Sequence, residues 1–143
     1  MKRNLFAYGT LMCEDILGTV AGCAPASVAA VLVDHRRLRV RGEHYPGLIR
    51  QPGGRVEGVL YRSLEPAAWV RLDRFEGEMY ERLAVTVEAA DGTLVEADTY
   101  LIRPESAHRL EPVEWDFEIF LAQGKEGFVS DYAGYEAVRS QPD

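Results

Sequence analysis

The sequence predicts an α+β domain, a small and mostly antiparallel sheet or barrel of about six strands decorated with short helices. Three observations predict it. Apolar and polar residues alternate strictly in several short runs, the pattern of strands with one wet face. Turn residues, Asp91-Gly92 foremost, join those runs at hairpin spacing, without the long crossovers that parallel strands need. Helical periodicity is confined to short stretches between them. Residues 1–143 have the length of a single domain and bury enough surface for a full core.

Residues 4–8, with Leu5, Phe6 and Ala7, are a short apolar run read as a buried first strand, and Tyr8-Gly9-Thr10-Leu11 follows as a tight turn. Residues 14–21 read as a short helix closed by Gly22. Residues 27–33 are small and apolar, and residues 37–41 alternate with Leu38 and Val40 inward, giving two strands. Arg37, Arg39 and Arg41 fall on the opposite face, either as a solvated surface or as a rim that attracts anions. Pro46-Gly47 reads as a turn before a strand that starts at Leu48-Ile49, and Pro52-Gly53-Gly54 as another turn. Residues 56–62 form a strand with Val56, Gly58 and Leu60 facing one way and Glu57, Val59 and Tyr61 the other.

Residues 66–76 read as a helix. Pro66 suits the first helical position, where its missing N–H costs nothing, and Ala68, Trp69, Leu72 and Phe75 share one face. Gly77 ends it as a residue that tolerates positive φ. Residues 82–90 alternate with Leu83, Val85 and Val87 inward, and residues 93–102 return after the Asp91-Gly92 turn. In the tail, residues 112–123 read as a helix with Val113, Phe117, Phe120 and Leu121 on one face and Gly124 as its stop; Phe128, Tyr132 and Tyr135 suggest a last short helix.

Bulk composition and missing motifs exclude several classes. A net charge of −7 repels nucleic acid and anionic membranes. Cys13 and Cys23 offer neither a disulfide framework nor metal-ligand spacing, and read as small buried apolar residues of a reducing compartment. His35, His44 and His108 are scattered and read as surface or loop residues, so no metal site is expected. There is no P-loop, no dinucleotide-binding glycine motif and no Gly-x-Ser-x-Gly, leaving organic cofactors no foothold. No apolar run has the length of a signal peptide core or a membrane span, so the expected location is the cytoplasm. The oligomeric state stays open.

Two features carry chemistry. Glu76 is the last residue of its helix, where the partial negative charge of the helix end disfavours a carboxylate. A partly desolvated pocket pushes the same way, toward the neutral acid that proton transfer needs near neutral pH; the competing reading is a solvated Glu beside a helix cap. The Tyr8-Gly9-Thr10-Leu11 turn leaves successive N–H groups unpaired, a nest for a carboxylate or phosphate. A plain glycine turn is its alternative.

Four stretches in order resemble the γ-glutamylcyclotransferase-like family, which includes γ-glutamylamine cyclotransferases and the plant avirulence-induced-gene-like proteins. They are Phe6-Ala7-Tyr8-Gly9-Thr10-Leu11; Tyr45-Pro46-Gly47-Leu48; Val56 to Tyr61 with Leu72-Asp73-Arg74-Phe75-Glu76-Gly77 and Tyr80-Glu81-Arg82; and Ala97-Asp98-Thr99-Tyr100. The resemblance implies a small β-barrel decorated with helices, a catalytic carboxylate on Glu76, and a substrate-binding turn at Tyr8, Gly9, Thr10 and Leu11.

It also implies the reaction: the α-amine of a γ-glutamyl compound attacks its own γ-carbonyl, closes a five-membered ring and releases 5-oxoproline with a free amine. Tyr8 and Tyr100 are expected to donate hydrogen bonds to the γ-glutamyl group. Arg82, close to Tyr80, is expected to pair with a neighbouring carboxylate and orient the segment. Asp73, Glu78 and Glu81 are the weaker candidates for the catalytic acid. A small-molecule γ-glutamyl substrate is the expected partner, with no cofactor. Competing readings are a non-catalytic ligand- or partner-binding domain on the same fold, and an enzyme that removes a γ-glutamyl protecting group.

Overall fold

The computed structural model of the chain describes residues 2–131. Two long strands, β2 (Ser27–Val40) and β3 (Pro46–Leu64), form its frame and pair antiparallel along most of their length. Around them lie β1 (Arg3–Ala7), β4 (Tyr80–Ala89) and β5 (Leu94–Ile102). The order β3-β1-β5-β4-β2, with β2 also paired to β3, closes five strands into a barrel. β1 runs parallel to β5 and the other pairings are antiparallel. A sixth strand, β6 (Leu110–Glu114), adds to β2 outside the ring. Closure removes exposed edges from the five barrel strands.

Strand alternation divides the core in two. Phe6 and Tyr8, the latter just past β1, join Leu32, Val56, Leu60 and Val87 of the strands in one cluster, the barrel interior. Their neighbours Leu5 and Ala7, with Tyr61 and Leu64, face outward under α1 (Glu14–Ala21) and α2 (Pro66–Glu76). On α2, Trp69, Leu72 and Phe75 are buried against this outer wall. Full burial of a side chain such as Leu72 or Phe75 contributes about 1.5–3 kcal/mol, so α2 and its last residue are held firmly.

Several local expectations are corrected. Residues 27–33 and 37–41 are one strand: Asp34 takes φ 61° and bends the chain, and the ladder resumes at His35 after a register shift. The Pro52-Gly53-Gly54 segment lies inside β3 opposite that bend, where Gly53 N–H donates to Asp34 Oδ1 at 3.0 Å. Pro46-Gly47 is no turn, since Pro46 pairs with Arg39 and Gly47 with Leu38 in the ladder. His35 is buried in β2, and Cys23 is exposed while Cys13 is buried.

The expected helix over residues 112–123 holds from Phe117 onward, while its first residues belong to β6, whose edge position tolerates Pro112. Asp116 then caps a new start, its Oδ1 accepting from Ile119 N–H at 3.1 Å. Helix α3 (Phe117–Ile119) runs through a π-helical turn (Phe120–Gly124) into α4 (Lys125–Asp131), so Gly124 is not a stop. Val113 and Leu121 are exposed, whereas Trp115, Phe120 and Phe128 are buried. Tyr132 and Tyr135 lie outside the described residues. Among the described residues no helix is long and apolar enough to cross a membrane.

Candidate active site

Helix α2 delivers Glu76 to a pocket. Gly77 follows with φ 76°, and its N–H closes the helix on Asp73 O at 3.1 Å, so the chain turns away directly after Glu76. Tyr8, Gly9, Thr10 and Leu11 line the same pocket. Tyr45, Tyr80, Tyr100 and Phe128 complete its walls. The enclosed volume is about 30 Å³, room for a water molecule or two. Phe128 fills the remaining space, with its ring centroid 6.1 Å from that of Phe75, 5.8 Å from Phe120 and 6.3 Å from Tyr45.

The turn after β1 is held from behind through its carbonyls. Arg37 Nη1 donates to Tyr8 O at 2.7 Å and to Glu57 O at 3.1 Å. Gly9 O accepts from Met12 N–H at 3.0 Å, Thr10 O from Cys13 N–H at 3.1 Å, and Leu11 O from the Tyr61 hydroxyl at 2.8 Å. All four carbonyls are thus bonded to the protein, and the first N–H groups of such a single helical turn (Thr10–Met12) have no partner within it.

Arg37 is consequently a brace and no part of an anion-attracting rim. None of Arg37, Arg39 and Arg41 lines the Glu76 pocket; Arg39 borders a separate groove with Trp115 and Asp116. Replacing Arg37 by Met leaves the Tyr8 and Glu57 carbonyls without this donor. It is expected to lower stability by about 1–3 kcal/mol in a urea titration.

The tyrosine hydroxyls are engaged inside the protein. Tyr8 Oη donates to Tyr100 O at 2.7 Å, Tyr80 Oη to Pro46 O at 2.7 Å, and Tyr100 Oη to Asp73 Oδ1 at 2.6 Å. Tyr8 and Tyr100 therefore stand in this arrangement as fixed walls, with the hydrogens they were expected to offer a substrate already placed. Arg82 does pair with carboxylates: its Nε lies 3.4 Å from Asp73 Oδ1 and its Nη1 3.7 Å from Asp98 Oδ2. Its guanidinium also sits 4.6 Å above the Trp69 ring centroid.

Glu76 keeps some exposure through the pocket mouth, yet its carboxyl is surrounded closely enough that burial, and after it the charge of Asp73, push its pKa up to about 8. Folding therefore takes up a proton at this site between the ordinary value of 4.5 and about 8. The stability it contributes is complete below the ordinary value and is lost as pH rises through the folded one. Glu76→Gln removes this dependence. In urea titrations at pH 5, 7 and 9 the variant is expected to gain on wild type with rising pH, by about 2–4 kcal/mol at the top.

Glu76 stands at the end of α2 and Arg82 pairs with carboxylates, as sequence reasoning expected, and the turn lines the pocket that Glu76 enters. That reasoning missed the engagement of Asp73 with Tyr100, for which the sequence carries no signal. It also missed Phe128 as a pocket wall, which a run of aromatic residues in the tail does not reveal.

Comparison with known proteins agrees with this architecture. Residues 5–117 match the model of a family described as gamma-glutamyl cyclotransferase, AIG2-like. An AIG2-like protein C from Arabidopsis thaliana is 30% identical over 141 residues, covering 98% of this chain and 81% of its own. The solution structure of another Arabidopsis thaliana protein superposes with a TM-score of 0.72 at 27% identity, covering 91% of this chain and 79% of that one. A structure described as a gamma-glutamyl cyclotransferase shares the fold with a TM-score of 0.67 at 18% identity, covering 100% and 90% of the two chains. The chain belongs to the gamma-glutamyl cyclotransferase, AIG2-like, family.

Proposed function

We propose that the protein is a γ-glutamyl cyclotransferase that converts a γ-glutamyl amine or γ-glutamyl amino acid to 5-oxoproline and the free amine. The observation that carries this reading is one carboxyl group, Glu76, whose pKa is pushed up to about 8 and which lines the same pocket as the turn at Gly9–Leu11. Within the substrate, the α-nitrogen attacks the γ-carbonyl carbon. The C–N bond to the leaving amine breaks as the ring closes. Ionised Glu76 accepts the proton from the attacking nitrogen, and the resulting acid returns it to the leaving nitrogen. The turn holds the α-carboxylate or the developing oxyanion. Because both reactants belong to one molecule, a folded conformer contributes as much as roughly 7–11 kcal/mol of barrier reduction.

Tyr8, Tyr80 and Tyr100 set the width of the chamber in this scheme, and Arg82 steadies Asp73 behind it. The present volume is too small for a γ-glutamyl group. Substrate entry in this scheme requires Phe128, the wall contributed by α4, to move aside. With Arg37 withdrawn as a brace, an anionic leaving group has lost the argument in its favour. The test is incubation with γ-glutamyl-ε-lysine, γ-glutamyl amino acids, glutathione and simple γ-glutamylamines, reading 5-oxoproline by mass spectrometry. Product from at least one compound supports the proposal, and no product from any favours a binding domain on the same fold.

A further inference from the structure

We infer that Asp73 is a positioning residue of this site, one that ties the Tyr100 ring into the pocket wall and sets a negative charge one helical turn from Glu76. The inference rests on the reading of Glu76 as the proton-transfer group. Asp73 stands where three elements meet. It projects from α2, its Oδ1 accepts the Tyr100 hydroxyl of β5 at 2.6 Å, and Arg82 Nε of β4 approaches the same oxygen at 3.4 Å. Arg82 is itself fixed by the Trp69 face below it and by Asp98, which Arg3 grips through two hydrogen bonds of 2.8 and 2.5 Å. A half-exposed carboxylate at a helix surface has no need of such a scaffold; one that orients a pocket wall does.

The spacing is what gives this consequence. Residues three apart on a helix are neighbours, so the Asp73 charge acts on Glu76 at short range. The other titratable groups lining the pocket are tyrosines: Tyr8 just after β1, Tyr45 ahead of β3, Tyr80 on β4 and Tyr100 on β5. Glu43 and Arg109 act on Tyr45 with opposite signs, and Phe128 from α4 is apolar. Arg82 lies beyond Asp73 and tempers its charge without replacing the tyrosine bond.

Three variants separate the two tasks. Asp73→Asn keeps an acceptor for Tyr100 and removes the charge. Asp73→Ala removes both. Tyr100→Phe leaves the charge and cuts the tie. Glu76 is titrated in the ligand-free protein by NMR of carboxyl-labelled glutamate, its signal assigned by loss in Glu76→Gln, and kcat/KM for 5-oxoproline formation is measured against pH. In Asp73→Asn the Glu76 midpoint is expected to fall by about half a unit to one unit in both experiments, with KM little changed. Asp73→Ala shows the same fall and a KM raised about tenfold, whereas Tyr100→Phe raises KM without moving the midpoint.

A midpoint that stays at the wild-type value in both Asp73 variants would overturn the inference, as would an equal loss of activity at every pH. If wild type yields no 5-oxoproline from any compound, the proposed reaction fails on its own, and the NMR midpoint still decides whether Asp73 sets the charge at Glu76.

Discussion

Glu76→Gln lowers 5-oxoproline formation by a factor of about 10²–10⁴, the ordinary share of a positioned general base and acid. The substitution keeps the size of the side chain and removes its ability to exchange a proton, so the loss falls on kcat with KM nearly unchanged. The wild-type pH profile supplies a second arm. The reaction needs the carboxylate to start, and burial with the Asp73 charge holds Glu76 protonated up to about pH 8. Log kcat/KM therefore rises with pH below that value and levels as Glu76 ionises. The Gln variant lacks this limb. Glu78 is exposed and Glu81 lies outside the pocket lining, so Gln at either leaves turnover within about twofold of wild type. Loss of turnover in one of those variants, with Glu76→Gln active, would reassign the base.

Gly9→Ala damages the same site through space. Its backbone φ of −126° is not left-handed, so the damage does not come from a positive φ. A Cβ there would instead lie 2.8 Å from Pro46 Cγ and 2.9 Å from Cδ, inside van der Waals contact. Neither side yields cheaply, for Pro46 O is gripped by Tyr80 and the turn by its four carbonyl bonds. The expected cost is about 1–3 kcal/mol of stability by urea titration. A shift of the turn by about 1 Å costs up to about 10² in kcat/KM. Pro46→Ala removes the obstructing ring, so Gly9→Ala in that background should cost clearly less than in wild type. Equal losses in both backgrounds would show that crowding against Pro46 is not the cause.

The parts legible in the sequence are those whose physics is local. The Pro66 start, the apolar face through Phe75 and the Gly77 stop fix α2 without reference to the rest of the chain, and Glu76 follows from its place at the end. Alternation in β3 and β4 likewise names the inward residues. What was illegible depends on partners distant in sequence. Val113 shares a helical period with Phe117 by coincidence, because β2 offers an open edge that recruits residues 110–114 as a strand. Arg37 alternates like a solvent-facing residue and instead turns its guanidinium inward to carbonyls 29 and 20 positions away. Tyr100 meets Asp73 across 27 residues, and no spacing rule links a strand to a helix at that separation.

The central claim is tested most directly by following both products of one reaction, 5-oxoproline and the released amine, in wild type and Glu76→Gln at pH 8. Equal amounts of the two from wild type, and neither above background from the variant, is the result predicted. Free glutamate in place of 5-oxoproline would mean that water and not the substrate's own amine is the attacking group, and equal turnover by the variant would remove Glu76 from the chemistry. Either outcome would contradict the account.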